Sequence, residues 1–173
     1  MPRMNVYNDR NSPAAARVTL TRIKNFVGNV PDLSGVLGGA PGVLDACTQF
    51  AQSFMRSSLQ SDECFLVLLV ASREFGNKYS FELVYEMASS NRFSAHLTST
   101  VKNRKRLRKK AHRALADFVE AVVQKGGDIR DEELESLRKA GYSEEQVLEI
   151  MTGISVAWIW SSVSGVAGLS AEK

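Results

Sequence analysis

Residues 59–81, "LQSDECFLVLLVASREFGNKYSF", decide the fold of this chain. The sequence predicts that Ser61 is a helix N-cap. Asp62 and Glu63 follow in the first turn, where carboxylates favour the positive end of the helix dipole. The next run, "CFLVLLVA", is apolar on every face of a helix. A helix of this kind is stable when it is buried on all sides, so the sequence predicts a central helix around which the others pack.

The composition is typical of a single globular domain. The chain has 173 residues, of which 44% are hydrophobic and 24% are charged. This length allows one core without disulfides or metals as staples. The chain has no Asn-Gly or Asp-Gly hairpin dipeptide and few alternating apolar segments, so strands are not favoured. We therefore predict an all-α domain over residues 14–173, preceded by a flexible arm over residues 1–13.

Six further segments have helical periodicity or capping signals. They are residues 14–28, 42–57, 79–89, 114–123 and 131–141, and a last long helix that follows Ser143. Ser143 and Gln146 have the spacing of a capping box. Residues 29–42 are predicted to be a loop broken by prolines and glycines, with Pro41 in the first turn of the next helix.

Residues 150–169 are free of charge and long enough to cross a bilayer. Five Ser/Thr residues and three glycines dilute their hydrophobicity, so we expect a helix buried in the core or in a subunit interface and no membrane span. The N-terminal residues have no secretory pattern. Cys47 and Cys64 form neither a disulfide framework nor a metal motif. We expect a cytoplasmic protein without a metal or cofactor.

Residues 102–113, "KNRKRLRKKAHR", hold eight Lys or Arg residues and no acid. The run has no interleaved aromatic residue on which bases could stack, so nucleic acid is the weakest partner prediction. A solvated face that includes His112 is favoured. Contact with an acidic region of another subunit and attraction of anionic small molecules remain as alternatives.

Three segments in order resemble the carboxymuconolactone decarboxylase / AhpD-like family, including its peroxidase-related branch. They are "VPDLSGVLGGAPGVLDACTQF", residues 59–81, and "ELESLRKAGYSEEQVLEIMTGISVAWIW". The resemblance covers about residues 30–170. It implies an AhpD-like domain of about seven or eight helices that assembles as a homo-oligomer.

The active motif of that family is Cys-x-x-Cys-x-x-x-His, and its residues are missing here. Alignment on Gly76 and Tyr79 places Asn77 at the first cysteine and Ser80 at the second. Val84 then falls at the histidine. The resemblance therefore implies that the disulfide-cycling thiol peroxidase centre is absent from its usual place.

The glutamate that assists the thiols in the family falls on Phe65 in this alignment. A slip of two residues would instead place Glu63 at the glutamate and Glu82 at the histidine, but it would lose the matches at Gly76 and Tyr79. This alternative stays open at the level of the sequence.

Several residues are candidates for a non-redox site. Glu74 and Glu82 flank the motif, and either carboxyl could act as an acid if burial raised its pKa. Tyr79 could donate a hydrogen bond to a substrate oxygen, and His96 could approach the site as an acid or base. Trp158 is predicted to form a pocket wall, since it and Trp160 point to opposite sides of the last helix.

Cys64 is a candidate thiol because it lies near a helix N-terminus, where the dipole favours a thiolate. It also begins an apolar run, so a buried structural cysteine is the favoured interpretation.

Four hypotheses follow. The first is binding or conversion of a small carbonyl or carboxylate compound, in a pocket beside Asn77, Tyr79 and Ser80, by acid/base chemistry of the lyase or isomerase type. The second is a catalytically inactive structural or binding homologue whose site is filled by side chains. The third is residual alkyl hydroperoxidase activity through an exposed Cys64, and the fourth is nucleic-acid binding through residues 102–113. An empty cavity beside Ser80 would favour the first over the second.

Overall fold

A computed structural model describes residues 1–90 and 95–171, the side chains of Ser90, Ala95 and His96 excepted. Within these residues the chain forms nine helices and no strand. The helices are α1 (Ala14–Val27), α2 (Asp32–Leu37), α3 (Pro41–Met55), α4 (Ser61–Glu74), α5 (Lys78–Ser90), α6 (Ala95–Lys102), α7 (Lys110–Lys125), α8 (Asp131–Lys139) and α9 (Glu144–Ala167). The prediction of an all-α domain is confirmed.

Two local features differ from the sequence prediction. The predicted loop at 29–42 contains the short helix α2, whose apolar residues Leu33, Val36 and Leu37 are buried. The N-cap of α4 is Gln60 and not Ser61, because Glu63 reaches back to the Gln60 N–H at 3.0 Å. The capping box of Ser143 and Gln146 on α9 is confirmed, as is Pro41 at the start of α3.

Helix α4 is the centre of the domain. Every residue from Cys64 to Ser72 is buried, and α4 contacts α5, α6, α7 and α9. Full burial of one large aliphatic side chain stabilises a fold by about 1.5–3 kcal/mol. The apolar run is therefore the main source of cohesion, as its sequence predicts.

A second, smaller cluster joins the N-terminal helices to this core. Leu20 of α1, Leu33 of α2 and Leu44 of α3 pack together. Trp160 of α9 contacts both this cluster and the main core. The two clusters are thus parts of one continuous apolar interior.

Residues 1–13 form no helix, and backbone hydrogen bonds attach them to the domain. The Arg3 N–H donates to the Ala167 carbonyl at 2.7 Å, and the Tyr7 N–H donates to the Gly35 carbonyl at 3.1 Å. A Cβ at Gly35 would lie 2.4 Å from the Tyr7 carbonyl oxygen, so only glycine permits this approach. The predicted arm therefore lies along α2 and the end of α9.

Helix α9 crosses the whole domain. Among the described residues it is the one helix long and apolar enough to span a membrane by length and composition, and 44% of its most apolar window is buried. Its inner face packs against α3, α4 and α5. Its other face is exposed at Leu148, Trp158 and Val166.

Gly153 and Gly165 of α9 form a matched pair for testing this packing. A Cβ at Gly153 would lie 2.4 Å from Phe54 Cζ, and Phe54 is 1% exposed. We expect Gly153→Ala to lower the free energy of unfolding by about 1–3 kcal/mol, measured by urea denaturation. At Gly165 the nearest atom is 3.5 Å away, so Gly165→Ala should raise that free energy by about 0.4–1 kcal/mol. Equal effects of the two substitutions would contradict the close crossing of α9 over Phe54.

Candidate functional site

The junction of α4 and α5 is where the family motif aligns. Gly76 turns the chain with φ 71°, in the region that glycine adopts without strain. Asn77 then caps α5, since its Oδ1 accepts the Ser80 N–H at 2.9 Å. Its Nδ2 donates to the Ser161 carbonyl of α9 at 3.0 Å. One amide side chain therefore both begins α5 and ties it to α9.

Ser80 and Ser161 complete this contact. Their Oγ atoms are 2.7 Å apart, and Ser80 Oγ lies 3.2 Å from the Asn77 carbonyl oxygen. Ser80 is 0% exposed and Ser161 is 7% exposed. We call Asn77, Ser80 and Ser161 the α5–α9 joint. Their side chains hydrogen-bond to one another and to the backbone, as buried polar groups in stable cores do.

Apolar side chains occupy the other aligned positions. Val84 is 0% exposed and Phe65 is 2% exposed. Of the two cavities described below, neither is lined by Asn77 or Ser80. Side chains therefore fill the interior at the aligned positions. The second hypothesis predicts such a filled site, whereas the first predicts an empty cavity beside Ser80.

Tyr79 faces a different place, a cavity of about 470 Å³ between α5 and the segment that joins α1 to α2. We call it the linker cavity. Its apolar wall consists of Phe26, Val27, Val30, Leu83 and Met87. Three carboxylates, Asp32, Glu82 and Glu86, also line it. The cavity thus combines an apolar surface with negative charge.

The Tyr79 phenol lines the linker cavity and is tied to the start of α2. The Leu33 N–H donates to the phenol oxygen at 3.0 Å, and the Asp32 backbone also hydrogen-bonds to it. These bonds fix the position of the phenol, whose hydroxyl is by its chemistry also a donor. Burial raises the pKa of Tyr79, with hydrogen bonding to the Leu33 backbone acting in the opposite direction. The phenol is therefore protonated at neutral pH.

Glu82 lies in the same cavity and is paired. Its Oε1 is 2.8 Å from Lys102 Nζ, and that ammonium lies 4.7 Å from the centre of the Tyr85 ring. The pair brings α5 and α6 together. Glu82 is therefore held in an ion pair with Lys102 of α6.

Glu74 does not fit the role of an acid with a raised pKa. Burial raises the pKa of its carboxyl, but hydrogen bonds from Gln124 and Arg73 and the charges of Arg73 and Arg104 outweigh burial. The net pKa is below the ordinary value of a glutamate. Glu74 therefore belongs to a charged network between α4 and α7, and lines neither cavity.

Cys64 is 1% exposed, whereas the third hypothesis requires an exposed thiol. Its Sγ lies 3.6 Å from Ser57 Oγ and 3.9 Å from the Phe54 carbonyl oxygen. Burial raises the pKa of Cys64, partly offset by the hydrogen bond with Ser57. The geometry is that of a structural cysteine, as the apolar run predicts. Cys47 is half-buried, and burial raises the pKa of its thiol too.

Two further predictions need correction. Trp158 is 56% exposed and lines neither cavity. The inner face of α9 runs through Ile154, Ala157 and Ser161, which are buried. Trp160, and not Trp158, packs against the core. His112 is 6% exposed, not solvated, and burial lowers its pKa. The side chain of His96 lies outside the described residues.

Glu63, the residue of the alternative alignment, has a structural role. Besides capping α4, its Oε1 accepts a hydrogen bond from the Tyr142 hydroxyl, with 2.6 Å between the two oxygens. Ser161 is a site residue that the sequence reasoning missed, since it lies 84 residues from Asn77 and no local pattern marks it. Within the described residues, no group of three or more His, Cys, Asp or Glu side chains could hold a metal.

The sequence matches no protein-family model and no curated protein. Solved structures do match. A peroxidase-related protein with an AhpD core from Ralstonia eutropha JMP134 has a TM-score of 0.86 at 17% identity, over 98% of this chain and 91% of that chain. The debrominase Bmp8 in complex with 2,3,4-tribromopyrrole has a TM-score of 0.85 at 14% identity, over 98% and 91%. A peroxidase-related protein from Silicibacter sp. TM1040 has a TM-score of 0.80 at 17% identity, over 92% and 86%.

The chain therefore has the AhpD-like fold. At these identities the likeness concerns the fold, and the resemblance read from residues 30–170 is confirmed at that level. The chemistry has to be argued from this chain's own residues.

A double-mutant cycle tests whether Ser80 and Ser161 are coupled. Ser80→Ala leaves the buried Ser161 hydroxyl without its partner, which costs about 1–3 kcal/mol of stability. We expect Ser161→Ala to cost a similar amount and the double variant to cost less than the sum of the two, by at least about 0.5 kcal/mol. The measurement is urea unfolding monitored by helical circular dichroism. Strict additivity would contradict the proposed joint, and Ser89→Ala on the exposed face of α5 serves as the control.

Proposed function

We propose that this protein with the AhpD-like fold is a non-redox member of its structural class that binds a small, uncharged, carbonyl-containing compound in the linker cavity. The observation that carries the proposal is the filled α5–α9 joint. Asn77 and Ser80 stand where the family has its two cysteines, and both side chains are used in holding α5 against α9. In this proposal the binding site is displaced to the adjacent cavity that Tyr79 lines.

The loss of thiol chemistry is supported by the position of both cysteines. A thiol peroxidase needs a thiolate, a second thiol to resolve it, and a group that takes the proton. Cys64 is buried with a raised pKa, and its thiol is enclosed by Ser57 and backbone carbonyls. An activated thiol is accessible and has a lowered pKa, whereas the Cys64 thiol is buried and its pKa is raised.

The ligand class is argued from the lining of the linker cavity. Its volume of about 470 Å³ falls within the range of small-molecule sites. Leu83, Met87 and Phe26 offer apolar contact, and the Tyr79 phenol can donate to a carbonyl oxygen. The described lining of the cavity includes no cationic side chain, so a carboxylate ligand would find no ion-pair partner there, and the uncharged half of the carbonyl or carboxylate prediction is favoured. Bmp8, of the same fold, was solved with a small ring compound, 2,3,4-tribromopyrrole.

A second candidate function is acid/base conversion of the same ligand. Tyr79 and Glu82 line one cavity, and a hydrogen-bond donor beside a carboxylate is the minimum set for proton transfer. Glu82 is paired with Lys102, so its carboxylate would have to leave that ion pair to act as a base. A lyase or isomerase reaction would use Tyr79 to polarise the carbonyl and Glu82 to take the proton.

The remaining expectations extend this proposal. Exposed apolar residues on α1, α3 and α9 suit a homo-oligomer, and they include Val18, Phe50, Leu148, Trp158 and Val166. Two free thiols, one buried and one half-buried, suit the reducing cytoplasm.

Redox chemistry is tested by peroxide consumption with dithiothreitol as reductant. We expect no consumption above the protein-free rate, and both thiols should persist when they are titrated after peroxide treatment. Because burial raises the pKa of Cys64, its thiolate is scarce at neutral pH, and labelling of the native thiol should rise only at alkaline pH. Turnover that Cys64→Ser removes would overturn the non-redox proposal.

Ligand binding is tested with acetophenone as the uncharged probe and benzoate as its charged counterpart. Leu83→Trp fills the linker cavity, and Leu148→Trp makes the same change on an exposed face of α9. We expect acetophenone to cause saturable NMR shifts at the cavity, weakened at least about tenfold by Leu83→Trp and unchanged by Leu148→Trp. Equal or tighter binding of benzoate, or equal effects of the two variants, would contradict the assignment.

A further inference from the structure

A second cavity, of about 340 Å³, lies between the 103–109 loop, α4 and α7. Five cationic side chains line it, and only two acidic ones do so. The cations are Arg73, Arg104, Lys105, Arg106 and Arg113, and the acids are Asp117 and Glu120. Folding thus gathers part of the basic run around one concavity, which we call the arginine cavity. It is separate from the linker cavity, and the inference does not depend on the proposed function.

The inner wall of the arginine cavity is a fixed ion-pair network. Arg73, whose side chain is 13% exposed, donates to Glu74 at 2.8 Å and to the Val101 carbonyl at 3.0 Å, and it also contacts Glu120. Arg104 Nη1 lies 3.1 Å from Glu74 Oε1. Glu74 and Glu120 therefore balance Arg73 and Arg104. Of the other charged lining residues, three are cations and one is an acid.

Arg113 is held in place by the loop itself. Its Nη1 donates to the Leu107 and Arg108 carbonyls, both at 2.8 Å. These bonds use the two Nη1 protons and leave those of Nε and Nη2 for another acceptor. A guanidinium positioned in this way suits an oxyanion, which it can bind through two parallel hydrogen bonds.

The backbone turns the basic run toward the cavity. At the end of α6 the Lys105 N–H donates to the Thr100 carbonyl at 2.9 Å, and Arg104 adopts φ 50°. Glycine or asparagine ordinarily takes that left-handed position. Helix α7 then starts with no acid in its first turn and no side-chain cap. The Asp62 carboxylate of α4 lies against this end of α7, 3.4 Å from His112 Nε2, so the positive charge at the cavity comes from its lining side chains.

We propose that the arginine cavity binds a small, multiply charged oxyanion of the phosphate-ester or pyrophosphate class. A volume of about 340 Å³ is at the low end of small-molecule sites and suits a small phosphorylated compound. A nucleic-acid strand would need an extended groove with aromatic stacking surfaces, whereas this site is a concavity without an aromatic residue in its lining.

The test measures binding of inorganic pyrophosphate to the full chain by isothermal titration calorimetry at physiological ionic strength. We expect one saturable site per chain. Lys105→Gln combined with Arg106→Gln should weaken it at least about tenfold. Arg104→Gly should also weaken binding, because it removes one of the cations that line the cavity.

The matched control combines Arg108→Gln with Lys110→Gln, which removes two charges from the same run outside the cavity lining. It should change the affinity by less than about twofold. Equal weakening by the two double variants would mean a diffuse charge effect and would overturn the site. Absence of saturable binding to the wild-type chain would overturn it as well. So would a single-stranded oligonucleotide that outcompetes pyrophosphate and is weakened alike by both double variants.

Discussion

The all-round burial of α4 is the constraint on which the rest of the structure depends. A helix with nine successive buried residues has no face for solvent, so its neighbours must enclose it. Helices α5, α6, α7 and α9 do so. The chain leaves α4 through Gly76 and immediately begins α5, so the place where the family motif aligns is fixed by this packing. A substitution at this junction is therefore expected first of all to alter the packing of α5 against α9.

The aligned motif positions have a structural role in this chain. The cap of a helix and the contact between two helices need polar side chains of the right size, and Asn77 and Ser80 supply them. Those groups are satisfied internally, which removes them from reaction with a ligand. In our account the fold keeps the junction for stability, while the linker cavity and the arginine cavity are the proposed binding sites.

Much of the fold could be predicted from local patterns, and much of the site could not. The apolar run of α4 and the Ser143 cap of α9 are local signals, and both are confirmed. The prediction of Trp158 as a pocket wall is wrong. The inner face of α9 is set by its contacts with α3, α4 and α5, and Trp158 lies on the opposite, exposed face. The lowered pKa of Glu74 could not be predicted from the sequence, because Gln124 and Arg104 approach its carboxyl from distant parts of the chain.

The central claim is that the α5–α9 joint is a closed structural contact. It is tested most directly by native-state hydrogen exchange at the Ser80 amide, which donates to Asn77 Oδ1 inside the joint. A first-turn amide ordinarily exchanges fast because it lacks a helical acceptor. The account predicts that Ser80 exchanges as slowly as the core amides of α4, such as that of Leu68, by an opening close to global unfolding. Exchange as fast as that of Ala111, in the uncapped first turn of α7, would show that the joint opens readily, and would contradict the account.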